Sequence, residues 1–385
     1  MKIGLVSSYM PPHLGGIEQI GESLFQGYRR RSCEVRWVSS GIPRREPRRD
    51  DGRLRVPCLN LAEDLLGIPA PLWGVSGWLE LTRLARWADA LHVIECLYVP
   101  CAMAVAAARR HGTPVLLSQN VGFIRYRIPL VNWVERVAYA TLGRAVLRSA
   151  AHVILATPPA EAHVESLLGA RPRNSSVFPI GIDTRRFRPA TPEARRAARE
   201  RLGLPREGAL VLFAGRLVEK KGVPIVLEVS RRLTDAHFLL LGDGPLRSLL
   251  DARPPNVTWR PSVRAEEMPE HYHAADCLLL PSHDEGLPLV VQEAMASGIP
   301  VVVSADEAYV TALAGASVCG VAPRTGAAMS EQVQAVLAGR NPGLGERGRE
   351  YAEAHWSVDT MVGQCLALIE GLPRGHGRAR AGAHP

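Results

Sequence analysis

Two glutamates with seven residues between them are the strongest candidates for chemistry in this sequence. Glu285 lies in the loop after a predicted strand at 276–280, and Glu293 lies two turns into a predicted helix at 287–297. At a helical rise of about 1.5 Å per residue, Glu293 would lie about 12 Å from Glu285 along the helix axis. A carboxylate and free backbone N–H groups at the mouth of a helix, with a second carboxylate behind them, predict a site for a polyhydroxylated ligand attached to a phosphate. The competing interpretation is that Glu293 is a buried, paired helix residue.

A basic loop at 215–222 follows the predicted strand at 209–214. It contains Arg216 and two of the chain's three lysines, Lys220 and Lys221. The forked arginine and the compact lysine charge together suit a diphosphate. Solvated charges on a loop are the competing interpretation.

A glycine pair, Gly15 and Gly16, lies between a predicted strand at 2–7 and a predicted helix at 16–30. Glycines let the backbone approach a ligand closely, and a helix start offers N–H groups to an anion. The alternative is a tight turn. The G-x-G-x-x-G spacing is absent here, and at Gly242 it fails at the third position, which argues against nicotinamide or flavin chemistry.

The elements that must position these residues alternate between short apolar runs and helical patterns. This alternation predicts two doubly wound, Rossmann-like α/β domains facing across a cleft, with ligands at the carboxyl ends of the strands. The charged segment 41–51 is expected to be a solvated loop. We predict four regions: an acceptor-side domain, a nucleotide-sugar domain, a helix that returns to the first domain, and a disordered tail, at 1–187, 188–355, 356–372 and 373–385.

Composition narrows the class of protein. The chain has 385 residues and a formal charge of +8, and its seven cysteines form no Cys-x-x-Cys pair. Scattered cysteines indicate reduced thiols and a cytoplasmic location. No apolar stretch reaches the ~20 residues of a membrane span, and no signal peptide is apparent. The arginines are spread without a zinc-finger or RNA-binding signature, so nucleic-acid binding is not expected.

A resemblance to a known family is carried by five motifs in order: GGIE, PIGID, GRLVEKKG, GDGP and AADCLLLPSHDEGLPLVVQEAMASGIPVV. The chain resembles the family-four retaining glycosyltransferases of GT-B fold from about residue 2 to 370. The glutamate pair followed by AMASGIPVV is highly specific, GRLVEKKG is specific, and the GG and GDGP motifs are weak singly.

The resemblance implies which residues contact each part of a nucleotide-sugar donor. Those implied at the diphosphate are Gly15, Gly16, Arg216 and Lys221. Those implied at the donor sugar are Glu285, Gly286, Leu287 and Leu289. Glu293 is the residue implied at the ribose. Val263 is implied at the base, which its backbone would contact.

One departure from the family pattern affects the sugar contacts. The family usually has a histidine near the end of the fifth strand, where this chain has Asn120. The nearest histidine in a neighbouring strand end is His92. Both residues are therefore tentative contacts on the sugar or acceptor side.

The reaction implied by the resemblance is retaining transfer from a UDP- or GDP-sugar to an acceptor hydroxyl by front-face attack. Arg216, Lys221 and Glu285 are the implied catalytic residues, and neither a cofactor nor a metal is expected. The alternatives are a nucleotide-sugar epimerase and a nucleotide-sugar-binding subunit that has lost activity.

The acceptor is not identified by the sequence; a small molecule, a glycan and a lipid-linked molecule remain open. Segment 124–149 combines arginines with apolar residues, among them Trp133. It is a candidate for peripheral contact with an anionic membrane at the inner face. The alternative is a helix packed on its own sheet with a basic outer face.

Overall fold

The computed structural model of the protein divides into two compact units, Met1–Gly181 with Val358–Pro385, and Ile182–Ser357. The first unit ends at Gly181, where the sequence analysis placed the boundary after residue 187. The last helix belongs to the first unit. The residues that the structure describes are 1–11, 13, 16–41, 48–60, 70–123, 129–261, 263–283, 287–305, 313 and 317–373. The tail predicted at 373–385 lies outside them, except for residue 373.

The first unit is built on a sheet with the strand order β3-β4-β2-β1-β6-β7-β8-β9, and β5 pairs with β4. All pairs are parallel except β3 with β4 and β4 with β5. The strands are β1 Lys2–Val6, β2 Glu34–Gly41, β3 Arg48–Asp50, β4 Arg53–Leu59, β5 Leu72–Trp73, β6 Ala90–Ile94, β7 Val115–Gln119, β8 His152–Leu155 and β9 Ser175–Val177.

Helices cover both faces of this sheet, which explains why its central strands are apolar at nearly every position. Leu81 and Ala104 belong to the core on one face, and Phe25 and Val362 belong to the core on the other. The helices of this unit are α1 Gly16–Arg30, α2 Val75–Trp87, α3 Val99–His111, α4 Pro129–Ala138, α5 Arg144–Ser149, α6 Pro158–Leu168 and the last helix, Val358–Gly371.

The second unit has a parallel sheet with the strand order β12-β11-β10-β13-β14-β15. The order reverses between β10 and β13, which is where ligands bind in open α/β sheets. Its strands are β10 Ala209–Ala214, β11 Ala236–Leu241, β12 Val257–Arg260, β13 Cys277–Leu280, β14 Val301–Ser304 and β15 Gly320–Ala322. Its helices are α7 Pro192–Arg201, α8 Val223–Arg232, α9 Met268–Ala274, α10 Leu289–Ala296, α11 Gly326–Leu337 and α12 Leu344–Trp356, and the last helix of the chain is α13.

The structure confirms the predicted α/β class with two parallel-sheet units, and it corrects two local predictions. The segment expected to be a solvated loop at 41–51 contains β3, which pairs antiparallel with β4. The helix expected within 130–149 is interrupted by a π-helical turn at Tyr139–Gly143. Among the described residues, no helix is both long and apolar enough to cross a bilayer.

Candidate functional site

The loop after β10 carries the two predicted cations and is shaped by glycine. It contains a 3₁₀ turn, Glu219–Lys221, and α8 begins directly after Gly222. Arg216 is exposed and Lys221 is half-buried. The Lys221 side chain lies over Gly215, where an added Cβ would be 3.6 Å from its Cδ and Cε. The aliphatic part of Lys221 is therefore packed along the loop, which limits where its ammonium group can reach.

Gly222 lets this loop touch the loop after β13. Its φ of +71° lies in the left-handed region, and a Cβ there would overlap the carbonyl oxygen of Pro281. The backbone N–H of His283 donates to the carbonyl of Lys220 at 3.0 Å. The Arg324 guanidinium donates to the carbonyls of Pro281 at 2.9 Å and Glu219 at 3.0 Å. The two loops are thus joined at the carboxyl edge of neighbouring strands.

The GDGP loop after β11 supports the basic loop from the other side. A Cβ on Gly242, whose φ is +131°, would overlap the carbonyl oxygen of Gly215. The N–H groups of Gly215 and Leu217 donate to the carbonyls of Leu241 at 3.0 Å and Asp243 at 2.9 Å. This motif, weak in the sequence, fixes the backbone on which Arg216 lies.

The sugar-side residues fall partly outside the described chain. Glu285 and Gly286 lie outside it, so the predicted role of Glu285 stays a prediction. Leu287 and Leu289 are half-buried against the core of the second unit, with Pro288 as the N-cap of α10. Val263, in the loop after β12, packs against the same core.

Glu293 has a protein partner, as in the competing interpretation, but the sequence did not indicate which residue it is. Its Oε2 accepts a hydrogen bond of 2.8 Å from the hydroxyl of Tyr272, a buried residue of α9. Phe187 packs edge-on against the Tyr272 ring at 5.7 Å between centroids. Burial raises the pKa of Glu293 to about 7, although the hydrogen bond and the charge of Arg186 oppose the rise. Among the described residues, none donates to the other oxygen, Oε1.

Of the residues just before α1, His13 contacts an acid of that helix. Gly15 lies outside the described residues, and Gly16 is the first residue of α1. Before it, the rings of Tyr9 and His13 stack at 4.1 Å, and His13 Nδ1 is 2.6 Å from Glu18 Oε1. The glutamate of the GGIE motif thus binds His13, which precedes the helix.

The structure argues against a substrate contact for His92. The side chain is buried, with Nδ1 2.7 Å from the Tyr28 hydroxyl and Nε2 2.6 Å from the Ser118 hydroxyl. Burial lowers the pKa of His92 to about 3, so the ring is neutral. Both ring nitrogens are occupied by protein groups, and His92 joins α1 to β7 inside the core.

Asn120, at the end of β7, is held by a carboxylate that the sequence analysis missed. Its backbone N–H and its Nδ2 donate to Glu95 Oε1 at 2.8 and 2.9 Å. Glu95 follows β6 directly and is buried, and burial raises its pKa to about 7. An acid immediately after the apolar run LHVI was the available signal.

Comparison with known proteins identifies the family. Residues 15–181 match the glycosyl transferase 4-like domain, and residues 208–339 match the model described as glycosyl transferases group 1. The chain is 34% identical to a D-inositol 3-phosphate glycosyltransferase of Geodermatophilus obscurus, over 56% of this chain and 52% of that relative. It is 29% identical to the 2-deoxystreptamine glucosyltransferase of Streptomyces kanamyceticus, over 86% of this chain and 91% of that relative.

Solved structures share the fold. Sucrose-phosphate synthase from Thermosynechococcus elongatus has a TM-score of 0.70 at 19% identity, covering 96% of this chain and 98% of that one. HepE from Anabaena, solved with UDP, has a TM-score of 0.71 at 16% identity, covering 97% of this chain and 100% of that one. These are glycosyltransferases of GT-B fold. The chain belongs to the family-four-type glycosyltransferases of that fold, although it spans about half the length of the first relatives it matches.

The first prediction concerns the contact between the two loops. Gly222→Ala should lower the free energy of unfolding of the second unit by about 3 kcal/mol, because left-handed strain and overlap with Pro281 add. The matched control is Gly203→Ala, where φ is +58° and nothing lies within 4 Å of an added Cβ; about 1 kcal/mol is expected there. Urea denaturation read by hydrogen exchange of β10 peptides measures both. Equal losses in the free energy of unfolding of the two variants would contradict the overlap between a Cβ at position 222 and Pro281.

The second prediction follows from the raised pKa of Glu293. Because its folded pKa of about 7 exceeds the ordinary 4.5, its contribution to stability is fully present below pH 4.5 and is lost as pH rises to 7. Between pH 4.5 and 7 the free energy of unfolding of the parent protein should fall by on the order of 1–3 kcal/mol because of Glu293, and Glu293→Gln should remove this fall. Hydrogen exchange of second-unit peptides against pH is the measurement, with exposed Glu331→Gln as the control. An unchanged slope in Glu293→Gln would show that Glu293 is already ionised at low pH.

Proposed function

We propose that the protein transfers a sugar, with retention of configuration, from a nucleoside-diphosphate sugar to an acceptor hydroxyl. The observation that carries this proposal is the joined pair of loops after β10 and β13, which presents Arg216 and Lys221 at the point where the strand order reverses. A related structure was solved with UDP, and one relative is named as GDP-mannose-dependent. These names support UDP or GDP as the nucleotide.

Arg216 and Lys221 would bind the diphosphate and stabilise it as it leaves. Charge accumulates on the departing phosphate oxygens, and donors fixed in advance stabilise that charge without reorganisation. The packing of Lys221 on Gly215 and the glycine contacts beneath the loop supply this fixation. Within the described chain, no group of three His, Cys, Asp or Glu side chains could hold a metal ion; independence from metal is part of the proposal and needs its own assay.

The loop and helix after β13 would bind the rest of the donor. Glu285 and the N–H groups of Gly286, Leu287 and Leu289 would contact the sugar. Glu293 would hold the ribose through Oε1, because Oε2 is already occupied by Tyr272. No side chain is assigned as general base. The leaving phosphate would take the proton of the acceptor hydroxyl, which attacks from the same face.

The third prediction tests the leaving-group role with a matched pair of lysines. Lys221→Ala should lower kcat by about 10²–10³-fold, the usual cost of one donor at a developing negative charge. Lys220→Ala, which removes the exposed neighbouring ammonium, should leave kcat within about twofold. A thermal-shift panel of UDP, GDP, ADP, CDP and dTDP first identifies the nucleotide, and nucleotide release from the matching sugar donor then gives kcat, with and without EDTA.

The same assay separates the competing functions. Release of nucleotide with a new glycoside supports transfer, and interconversion of the donor without an acceptor supports an epimerase. Binding with neither supports a nucleotide-sugar-binding subunit. Equal kcat values for Lys221→Ala and the parent protein would exclude the leaving-group role.

An anionic membrane surface is the partner we propose for α4. Four apolar side chains at the i, i+3, i+4, i+7 spacing of one helix face are between 43% and 67% exposed: Leu130, Trp133, Val134 and Val137. Arg136 is exposed beside them, with its guanidinium over the Phe123 ring at 5.4 Å. An apolar face bordered by cations on a chain of charge +8 complements an anionic bilayer. One relative is named for a phosphatidylinositol mannoside acceptor, which supports a lipid-linked acceptor.

The fourth prediction is a flotation experiment. The protein should float with vesicles of 70:30 phosphatidylcholine and phosphatidylglycerol but not with phosphatidylcholine alone, and 0.5 M NaCl should weaken binding because exposed charges are screened. Trp133→Ser with Val134→Ser should reduce the bound fraction at least fivefold, since burial of each apolar side chain contributes roughly 1.5–3 kcal/mol. Val177→Ser, an exposed apolar residue of β9, is the control. Equal flotation of all variants would refute this surface.

A further inference from the structure

Glu95 is a buried carboxylate that the proposed transfer reaction does not use. It is 2% exposed, and its φ of +72° places a non-glycine residue in the left-handed region. That conformation and the burial of a charge both cost free energy. Both occur at the carboxyl end of β6, next to β7, which Asn120 follows. Buried acids with shifted pKa values cluster at functional sites.

The hydrogen bonds of the Glu95 carboxylate come from residues at the end of β7 and just after it. Oε2 accepts from Gln119 Nε2 at 2.6 Å, and Oε1 accepts from the backbone N–H and Nδ2 of Asn120. Gln119 Oε1 in turn accepts from the N–H of Cys96 at 3.1 Å. From the β8 side, the Thr157 hydroxyl donates to the carbonyl of Asn120 at 3.2 Å. The backbone of Asn120 is therefore fixed from both neighbouring strands, and its side-chain amide is fixed by Glu95.

The ionisation of Glu95 determines which way that amide can point. An ionised carboxylate only accepts hydrogen bonds, so it requires the Nδ2 end of Asn120. The Oδ1 end then faces away from Glu95, and no described residue donates to it. A protonated carboxyl group donates, and it would favour Oδ1 facing Glu95 with Nδ2 turned outward.

We propose that Glu95 is a positioning residue that sets which end of the Asn120 amide is presented to a sugar hydroxyl. With Glu95 ionised, Asn120 presents a carbonyl oxygen that accepts from the hydroxyl; with Glu95 protonated, it presents an NH₂ group that donates to it. The ionised form is the productive one. The proposal rests on the proposed function, because the hydroxyl belongs either to the donor sugar or to the acceptor.

The change in which end of the Asn120 amide is presented falls in the neutral pH range. Burial raises the pKa of Glu95 to about 7. The titratable groups that face it in the described chain are the thiols of Cys96 and Cys101 and the phenol of Tyr139. Burial and the charge of Glu95 raise the pKa of all three, so they stay neutral between pH 5.5 and 8.5. Glu95 is thus the group of this cluster that changes charge there.

The kinetic test uses Glu95→Gln, Asn120→Ala and the double variant, with UDP-glucose and GDP-mannose as probes. The kcat/KM of the parent protein should fall about tenfold per pH unit below the pKa of Glu95, and Glu95→Gln should remove this limb. The double variant should be no slower than Asn120→Ala, because Glu95 acts through Asn120. Glu135→Gln, a buried acid of α4, is the control and should keep the limb. An effect on donor hydrolysis without acceptor assigns the hydroxyl to the donor; an effect on transfer alone assigns it to the acceptor.

A second readout does not depend on turnover. In protein labelled with ¹⁵N-asparagine, the Asn120 side-chain NH₂ resonance, assigned through Asn120→Ala, should titrate near neutral pH in the parent and not in Glu95→Gln. This titration can be measured even if neither sugar donor is turned over. Failure of the proposed function can therefore be distinguished from failure of the proposal for Glu95. An Asn120 resonance that does not titrate, or an acid limb that persists in Glu95→Gln, would overturn the proposal. The proposal would also be overturned if Glu95→Gln lowered the melting temperature and kcat/KM but left the pH profile of kcat/KM unchanged.

Discussion

Close contact between loop backbones at the carboxyl edge of the second sheet is the constraint on which the candidate site depends. Gly222 lies against Pro281, and Gly242 lies against the carbonyl of Gly215. No side chain fits in either contact, so the loops after β11 and β13 each lie within hydrogen-bonding distance of the loop after β10. Arg216 and Lys221 lie on backbone that this arrangement fixes.

Two carboxylates, one in each unit, are held by neutral hydrogen-bond donors. Glu293 is held by the Tyr272 phenol, and in the first unit Glu95 is held by the amides of Gln119 and Asn120. Neutral donors satisfy a carboxylate but stabilise its charge less than a cation does, so burial raises the pKa of both acids. Each carboxylate therefore lies near its point of ionisation at neutral pH. An arginine partner would have fixed the charge and removed that sensitivity.

Much of the fold could be predicted from local pattern. The helices Gly16–Arg30 and Val358–Gly371 and the apolar strands β1, β10 and β13 follow from periodicity, because each buries a complete face. Strand β3 could not be predicted, since Arg48–Asp50 is polar and becomes a strand only by pairing with β4. The π-helical turn at Tyr139–Gly143 likewise has no signature in the sequence.

The sequence by itself determined the class of the protein, the order of its motifs and the identity of the cations and acids, because these depend on residue type and spacing along the chain. It did not determine which residues form hydrogen bonds with one another. Tyr272 precedes Glu293 by 21 residues and Glu95 precedes Asn120 by 25, and Arg324 reaches back more than 100 residues to Glu219. The hydrogen bonds of His92 to Tyr28 and Ser118 were likewise not indicated by the sequence. Such contacts form only when elements distant in sequence become neighbours in the fold, and burial then shifts the pKa of each acid. Only the tertiary structure decides the contacts and the pKa values, because neither depends on local sequence alone.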